Sequence, residues 1–192
     1  DNAPTVQADA IGAGSALFVA SNGDYIDCGT GIGTALGDSY DGGLSVCAWF
    51  NTNLADTDQA IFAIDSYDTD DDAEDEFLIL LGHEGAGSIN FQVRGAGIST
   101  ITFTDIKNWH HIGAVYDGAN NIKHLYLDGV LVDSDSASNA LDLNGLRTII
   151  GSYDNVGDHS FDGNLAQVGV WDAVLTQAQI QSIMEKTYEE LT

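Results

Sequence analysis

The sequence predicts an all-β chain, a two-sheet antiparallel jelly-roll sandwich with a short C-terminal helix. Three observations carry that expectation. Turn residues recur about every 8–12 positions, the spacing of sandwich strands rather than of βαβ units; 22 glycines and repeated Asp-Gly and Asn-Gly steps supply them. Short β-branched and aromatic runs lie between the turns, as strands require. Proline occurs once, at Pro4, so no run is barred from ladder hydrogen bonding.

In chain order, residues 1–14 lack an apolar pattern and are expected to form an N-terminal arm, with residues 15–192 as one domain. Strands are expected near 15–20, 24–28, 44–51, 59–64, 76–82, 88–94, 98–103, 109–116, 123–128, 130–133, 146–151 and 164–172. In Trp109-His110-His111-Ile112-Gly113-Ala114-Val115-Tyr116 both alternating faces are largely apolar or aromatic, which predicts a central strand. Residues 123–132 read as a hairpin around Asp128-Gly129, a pair suited to a type I′ turn. The single helix is expected at the C-terminus: Thr176 can cap it, and Ile180, Ile183, Met184 and Tyr188 recur at helical spacing. Trp49, Trp109 and Trp171 each sit in an apolar run, which predicts core positions. Cys28 and Cys47 could form one bridge, worth roughly 3 kcal/mol, or remain two buried thiols; the sequence leaves both open.

Charge narrows the partners. The chain holds 30 acidic and 5 basic side chains, a net charge of −25. Phosphate contacts need Lys and Arg, so nucleic acid is excluded, as is a basic grip on anionic lipid. No apolar run reaches membrane-helix length, so membrane insertion is not expected. A hydrophobic content of 44%, with 3 Trp, 7 Tyr and 7 Phe, supports a folded core rather than disorder. The charge is unevenly placed: residues 1–93 carry 17 acids and no base, residues 94–192 carry 13 acids and all five bases.

Five ordered blocks resemble one family. They are Asp24-Tyr25-Ile26-Asp27-Cys28-Gly29, Leu44-Ser45-Val46-Cys47-Ala48-Trp49-Phe50, the Trp109–Gly118 run with Leu125–Val132, Ile149-Ile150-Gly151, and Phe161–Trp171 followed by Ala173-Val174-Leu175-Thr176 and Ile180. Over roughly residues 15–186 the chain is similar to the LamG-like jelly-roll domain of the concanavalin A-like lectin/glucanase superfamily. The resemblance implies an antiparallel jelly roll and leaves function open, because that fold hosts lectins, adhesion modules, virion proteins and hydrolases. It also implies a structural calcium between an early-turn Asp and a late-strand Asp; here those positions are Ala20 and Ala166, so this calcium is expected to be missing. A rim calcium of laminin G-type domains would place one ligand at Asp65 and a second at Asn139 or Asp142.

Residues 65–76 hold 8 acids in 12 residues between two expected strands. Crowded like charges in a loop repel unless a cation bridges them, and Asp-x-Asp spacing suits hard oxygen-ligand metals. Asp65, Asp68, Asp70, Asp72 and Asn139 are therefore the candidate ligands for calcium, against the alternative of a plain solvated loop, and Tyr67 is a candidate exposed contact. Tyr153, Asp154, Asn155, Asp158 and His159 lie in a loop whose carboxylates, amide and aromatic suit a sugar's hydroxyls and apolar ring face. Glu74 and Glu76 would stand about 6.6 Å apart on a strand, whereas retaining glycosidases need about 5–5.5 Å. The Glu-x-Asp-x-x-Glu motif of the superfamily's glucanases is absent. His110 and His111 are adjacent, so they face opposite sides of a strand and cannot share one metal.

The expected function is a non-enzymatic, lectin-like recognition module, extracellular or on a virion surface, whose rim loops bind glycan or protein. The alternative is a structural subunit, such as a capsid decoration, fibre or filament protein, that forms homo-oligomers or assembles through its N-terminal arm. A glycan hydrolase is the third and least favoured reading.

Overall fold

The computed structural model describes residues 3–7, 14–54, 57–65, 76–94, 96–102, 104–137, 140–153, 159–186 and 190, with backbone alone for 96–100. The chain runs β1 (Thr5–Gln7), β2 (Ser15–Phe18), β3 (Ile26–Asp27), α1 (Gly31–Leu36), β4 (Gly43–Thr52), β5 (Gln59–Asp65), β6 (Phe77–Leu81) and β7 (Ser88–Val93). It continues β8 (Ala96–Thr102), β9 (His110–Asp117), β10 (Ile122–Leu127), β11 (Val130–Ser136), β12 (Arg147–Ile150), β13 (Gly163–Trp171) and α2 (Gln177–Met184). The strands form two antiparallel sheets, one ordered β1-β2-β13-β4-β9-β10-β11 and the other β3-β12-β5-β6-β7-β8. This is the jelly-roll sandwich expected from the sequence.

Period-2 alternation sends one residue set from each sheet into a common core. Leu44, Val46, Ala48 and Phe50 of β4 meet Phe62, Phe77, Ile79 and Phe91 of the facing sheet. Six of the seven phenylalanines are fully buried there, Phe103 lying outside the described residues. Phe62 packs edge-on to Phe77 at 6.0 Å, and Phe77 lies 4.8 Å from Phe91. Such pairs each add roughly 0.5–1.5 kcal/mol beyond area burial.

A second layer covers the outer face of the seven-stranded sheet. There Ile180 and Ile183 of α2, with Leu175, pack on Cys47, Val115 and Tyr126. Thr176 caps this helix as expected: its hydroxyl accepts from Gln179 N, and the Gln179 side chain reaches back to complete a capping box. The β10–β11 hairpin turns at Asp128 (φ 49°) and Gly129 (φ 72°), the two positive angles a type I′ turn needs.

Several expectations are corrected. Thr5–Gln7 belong to the segment expected to be a patternless arm, yet they pair with Leu17, Ala16 and Ser15 as β1. A second helix, α1, forms in a glycine-rich stretch where no helix was expected, with Ile32 and Leu36, four residues apart, packed against the core. Its Gly33 is buried against the carbonyls of Leu143 and Leu146, so packing overrides propensity. The three tryptophans are half-buried rather than core: Trp49 and Trp171 point outward from the seven-stranded sheet, Trp171 flanking the α2 cluster. The cysteines are free, with Cys28 exposed and Cys47 buried. They sit in different layers, Cys28 beside β3 of one sheet and Cys47 beneath α2 on the far face of the other. Lys123, against the usual exposure of lysine, is fully enclosed on the inner face of β10 beside Tyr116. Burial lowers its pKa, opposed by the charges of Asp135 and Asp133.

Candidate functional site

Antiparallel pairing sorts the candidate residues to two opposite ends of the sandwich. The start of β5 and the ends of β6 and β12 share one rim; the end of β5 and the starts of β6 and β12 share the other. Tyr153 and His159 lie at the first rim. Asp65 lies at the second, where it flanks the acidic loop. Among the described candidates, Tyr153 and His159 are therefore at the opposite end from Asp65.

At the first rim the rings of Tyr153 and His159 stand 4.5 Å apart at 51°. His159 Nε2 is 3.2 Å from Asp58 Oδ2, and His83 Nδ1 approaches the same oxygen at 2.8 Å. Burial opposes ionisation of Asp58, but hydrogen bonds from His159 and His83, with their charge, outweigh it and hold the carboxyl below its ordinary value. The other oxygen, Oδ1, is buried, with no hydrogen-bond partner among the described residues. Tyr153 lies on an apolar patch of Ala60, Ala63, Leu78 and Leu80, on the outer face of the six-stranded sheet.

Local chemistry fixes this arrangement. Gln59, fully buried, accepts from Asp162 N (2.8 Å) and Thr52 Oγ1 (3.0 Å) and donates to Leu54 O (2.8 Å). It ties the loop carrying Asp58 to the turn that leads out of His159. Ala60 N donates to His159 O at 2.8 Å, anchoring a residue held at φ 58°. Gly82 (φ 77°) packs against Thr57 O so closely that a Cβ would clash, which brings His83 onto Asp58. Asp58 and His83 were not singled out from sequence. The signal existed: pairing the expected strands 59–64 and 76–82 as a hairpin sets the residue before one beside the residue after the other.

At the second rim Asp65 ends β5, 3% exposed and in register with Arg147. Arg94 Nη2 binds Asp142 Oδ2 at 2.6 Å and Nη1 donates to Ala140 O at 2.6 Å. Asp142 N donates to Glu76 Oε2 at 3.0 Å, and Arg94 Nε lies 3.7 Å from Glu76 Oε1. Burial raises the Glu76 pKa to about 7, against the pull of the Asp142 amide and Arg94. Asp142, one alternative for the second calcium ligand, thus already holds Arg94 and accepts from Ser39 N at 2.9 Å. Among the described residues no group of three or more His, Cys, Asp or Glu is placed to hold a metal. Tyr67, Asp68, Asp70, Asp72, Asn139, Asp154, Asn155 and Asp158 lie outside the described residues. His110 and His111 diverge as expected: His110 Nδ1 meets Asp128 Oδ2 at 2.8 Å. His111 packs on Trp49 at 5.3 Å on the outer face.

Two facing antiparallel sheets, with connecting loops gathered at two rims, define the class of jelly-roll sandwich modules to which lectins belong. A laminin G-type family model, described as the Concanavalin A-like lectin/glucanases superfamily, matches residues 21–181, and the chain belongs to that superfamily. Domain 4 of AbnA, an extracellular arabinanase of Geobacillus stearothermophilus seen with arabinotriose, is similar with a TM-score of 0.69 and 16% identity; the match covers 94% of this chain and 82% of that one. The CBM40 of the Ruminococcus gnavus IT-sialidase, seen with α2,3-sialyllactose, gives 0.61 and 15% over 74% and 83%. A SAP-like pentraxin of Limulus polyphemus gives 0.61 and 19% over 74% and 70%. At these identities the likeness is one of fold. A curated relative, the rat sushi, von Willebrand factor type A, EGF and pentraxin domain-containing protein 1, is 30% identical over 92 residues, 44% of this chain. The chain matches only 3% of that protein's length. Among the described residues no helix is long and apolar enough to cross a membrane.

Proposed function

We propose that this chain is a non-catalytic recognition module that binds glycans on an extracellular or virion surface through the rim formed by Tyr153, His159, Asp58 and His83. The observation that carries this reading is the junction of Tyr153 and His159 with a partly exposed carboxylate whose Oδ2 is held by two imidazoles. An aromatic face takes the apolar side of a sugar ring, while carboxylate and imidazole take its hydroxyls. Similarity to solved modules seen with arabinotriose and sialyllactose supports the choice of glycan as ligand class.

The test is a glycan array followed by amide NMR titration with each hit. Shifts should centre on Tyr153, His159 and His83, and Tyr153→Ala should weaken binding at least tenfold. Shifts confined to the opposite rim, or no hit on the array, would refute the proposal. A second reading, assembly, draws on the edge strand β11, where Val130, Leu131 and Val132 are exposed. Apolar edges template strand pairing. A strict monomer in size-exclusion chromatography across salt and protein concentration would rule that out.

A further inference from the structure

The ladder between β2 and β13 ends at Ala16↔Leu165, while β13 continues along β4 to Trp171. A cleft of about 410 Å³ opens where β2 leaves, lined by Phe18, Ile26, Ile150, Leu165 and Val168 with Gln167 in its wall. That volume lies within the range of small-molecule sites, roughly 300–1,000 Å³. The lining is apolar except at Gln167 and Ser15.

Gln167 carries two independent departures from a relaxed strand. The register of β13 shifts between Ala166 and Gly169, and Gln167 takes φ 50° within that bulge, a region Gln rarely occupies. Its side-chain Nε2 and Oε1 are both shut off from solvent, and neither has a hydrogen-bond partner among the described residues. A buried primary amide left unpaired is destabilising, and buried polar groups are nearly always satisfied. Glycine at this position would remove both costs, as it does in other bulges. Strained backbone and unmet hydrogen bonds together, in the wall of a cleft, mark a place where a ligand completes the structure.

We propose that this cleft binds a small, neutral, mostly apolar molecule bearing a lactam or carboxamide edge, which pairs with the Gln167 amide once that side chain turns into the cleft. An amide presents one donor and one acceptor side by side, and a cis-amide edge returns the same pair in reverse. The apolar walls bury the rest of the molecule. Neutrality follows from the cost of placing an ion among apolar groups, in a chain of net charge −25 that already repels anions. The cleft lies between the sheets and uses none of the rim residues.

The test compares 2-quinolone with naphthalene, two bicycles of similar shape that differ in the amide edge. Binding to the whole chain is followed through the methyl resonances of Ile150, Leu165 and Val168. The expected result is that 2-quinolone shifts these methyls and binds at least about tenfold more tightly than naphthalene, the discrimination two directed hydrogen bonds provide. Gln167→Leu should bring the ratio near one while naphthalene still binds. Gln167→Gly, relieved of the strained angle, should melt at a higher temperature than wild type without ligand and should also lose the preference. Absence of methyl shifts with both compounds, equal or tighter binding of naphthalene to wild type, or an unchanged ratio in Gln167→Leu would each overturn the proposal.

Discussion

Replacing Glu76 by Gln decides whether burial or ion pairing governs the acidic rim. Glu76 is 2% exposed at the start of β6. Its carboxyl accepts from Asp142 N at 3.0 Å, and the Arg94 guanidinium, nearest at 3.7 Å, is committed more closely to Asp142 and Ala140 O. Burial therefore dominates, with the charges of Asp142 and Asp38 adding to it, and the pKa rises from 4.5 to about 7. The sign follows directly. Below about pH 4.5 both folded and unfolded states hold the proton, and the neutral carboxyl suits its buried place. As pH rises towards 7 the unfolded chain releases the proton readily while the folded chain resists, so stability is lost across that window. At about 1.36 kcal/mol per pH unit the loss reaches about 3 kcal/mol as an upper bound.

His111 acts with the opposite slope, because burial depresses its pKa from 6.5 to about 4 and its contribution is lost as pH falls. The wild-type profile alone therefore hides the effect, and the difference between Glu76→Gln and wild type isolates it. Urea unfolding from pH 4 to 8 should show the two proteins within about 1 kcal/mol at the acid end, with the variant more stable by up to about 3 kcal/mol at pH 8. A variant less stable than wild type at pH 8, or a difference that does not change with pH, would show that the Arg94 ion pair outweighs burial and would refute this account.

Gln59→Leu should cost about 2–4 kcal/mol in urea unfolding, because Asp162 N, Thr52 Oγ1 and Leu54 O lose their buried partner together. An effect under about 1 kcal/mol would mean that the rim is not held by this residue. Thr176→Ala should destabilise by about 1 kcal/mol and Thr176→Ser by much less, since the hydroxyl caps α2; equal losses would point to the methyl instead. If the loop after Asp65 binds calcium, millimolar calcium should raise the wild-type melting temperature relative to chelator, and Asp65→Asn should abolish the shift. No shift in wild type would remove calcium from the protein.

The sandwich was legible because its signals are local. Alternating runs, glycine turns, the Asp128-Gly129 pair and the Thr176 cap each act within a few residues. What escaped the sequence depends on distant neighbours. The α1 turn forms because Gly33 can lie against the Leu143 and Leu146 carbonyls, over a hundred residues away. Trp49 and Trp171 sit on the outer face of strands apolar on both faces, where α2 covers only part of the sheet, and Trp109 stands just before β9. Lys123 follows the inward parity of Leu125 and Leu127, a placement that charge alone argues against. The candidate site was half legible. Loop chemistry marked Tyr153 and His159, but Asp58 and His83 join them only through the β5–β6 register.

The two ends of the sandwich neutralise their carboxylates in different ways, and that difference follows from which cation the fold delivers. The first 93 residues carry no base, yet Arg147 reaches Asp27, and Arg94 holds both Asp142 and Glu76. Both arginines of the chain thus serve the rim that flanks the acidic loop. A guanidinium is charged at every accessible pH and forks onto two acceptors at once, so compensation there is permanent. At the opposite rim the ion-pair partners of Asp58 among the described residues are imidazoles, whose charge is conditional on pH and whose tautomers can turn from donor to acceptor. A carboxylate locked by arginine offers little to a ligand. One held by two histidines can exchange a partner for a ligand hydroxyl at modest cost. That asymmetry, rather than the density of acids, is the reason we propose the recognition surface at the histidine end.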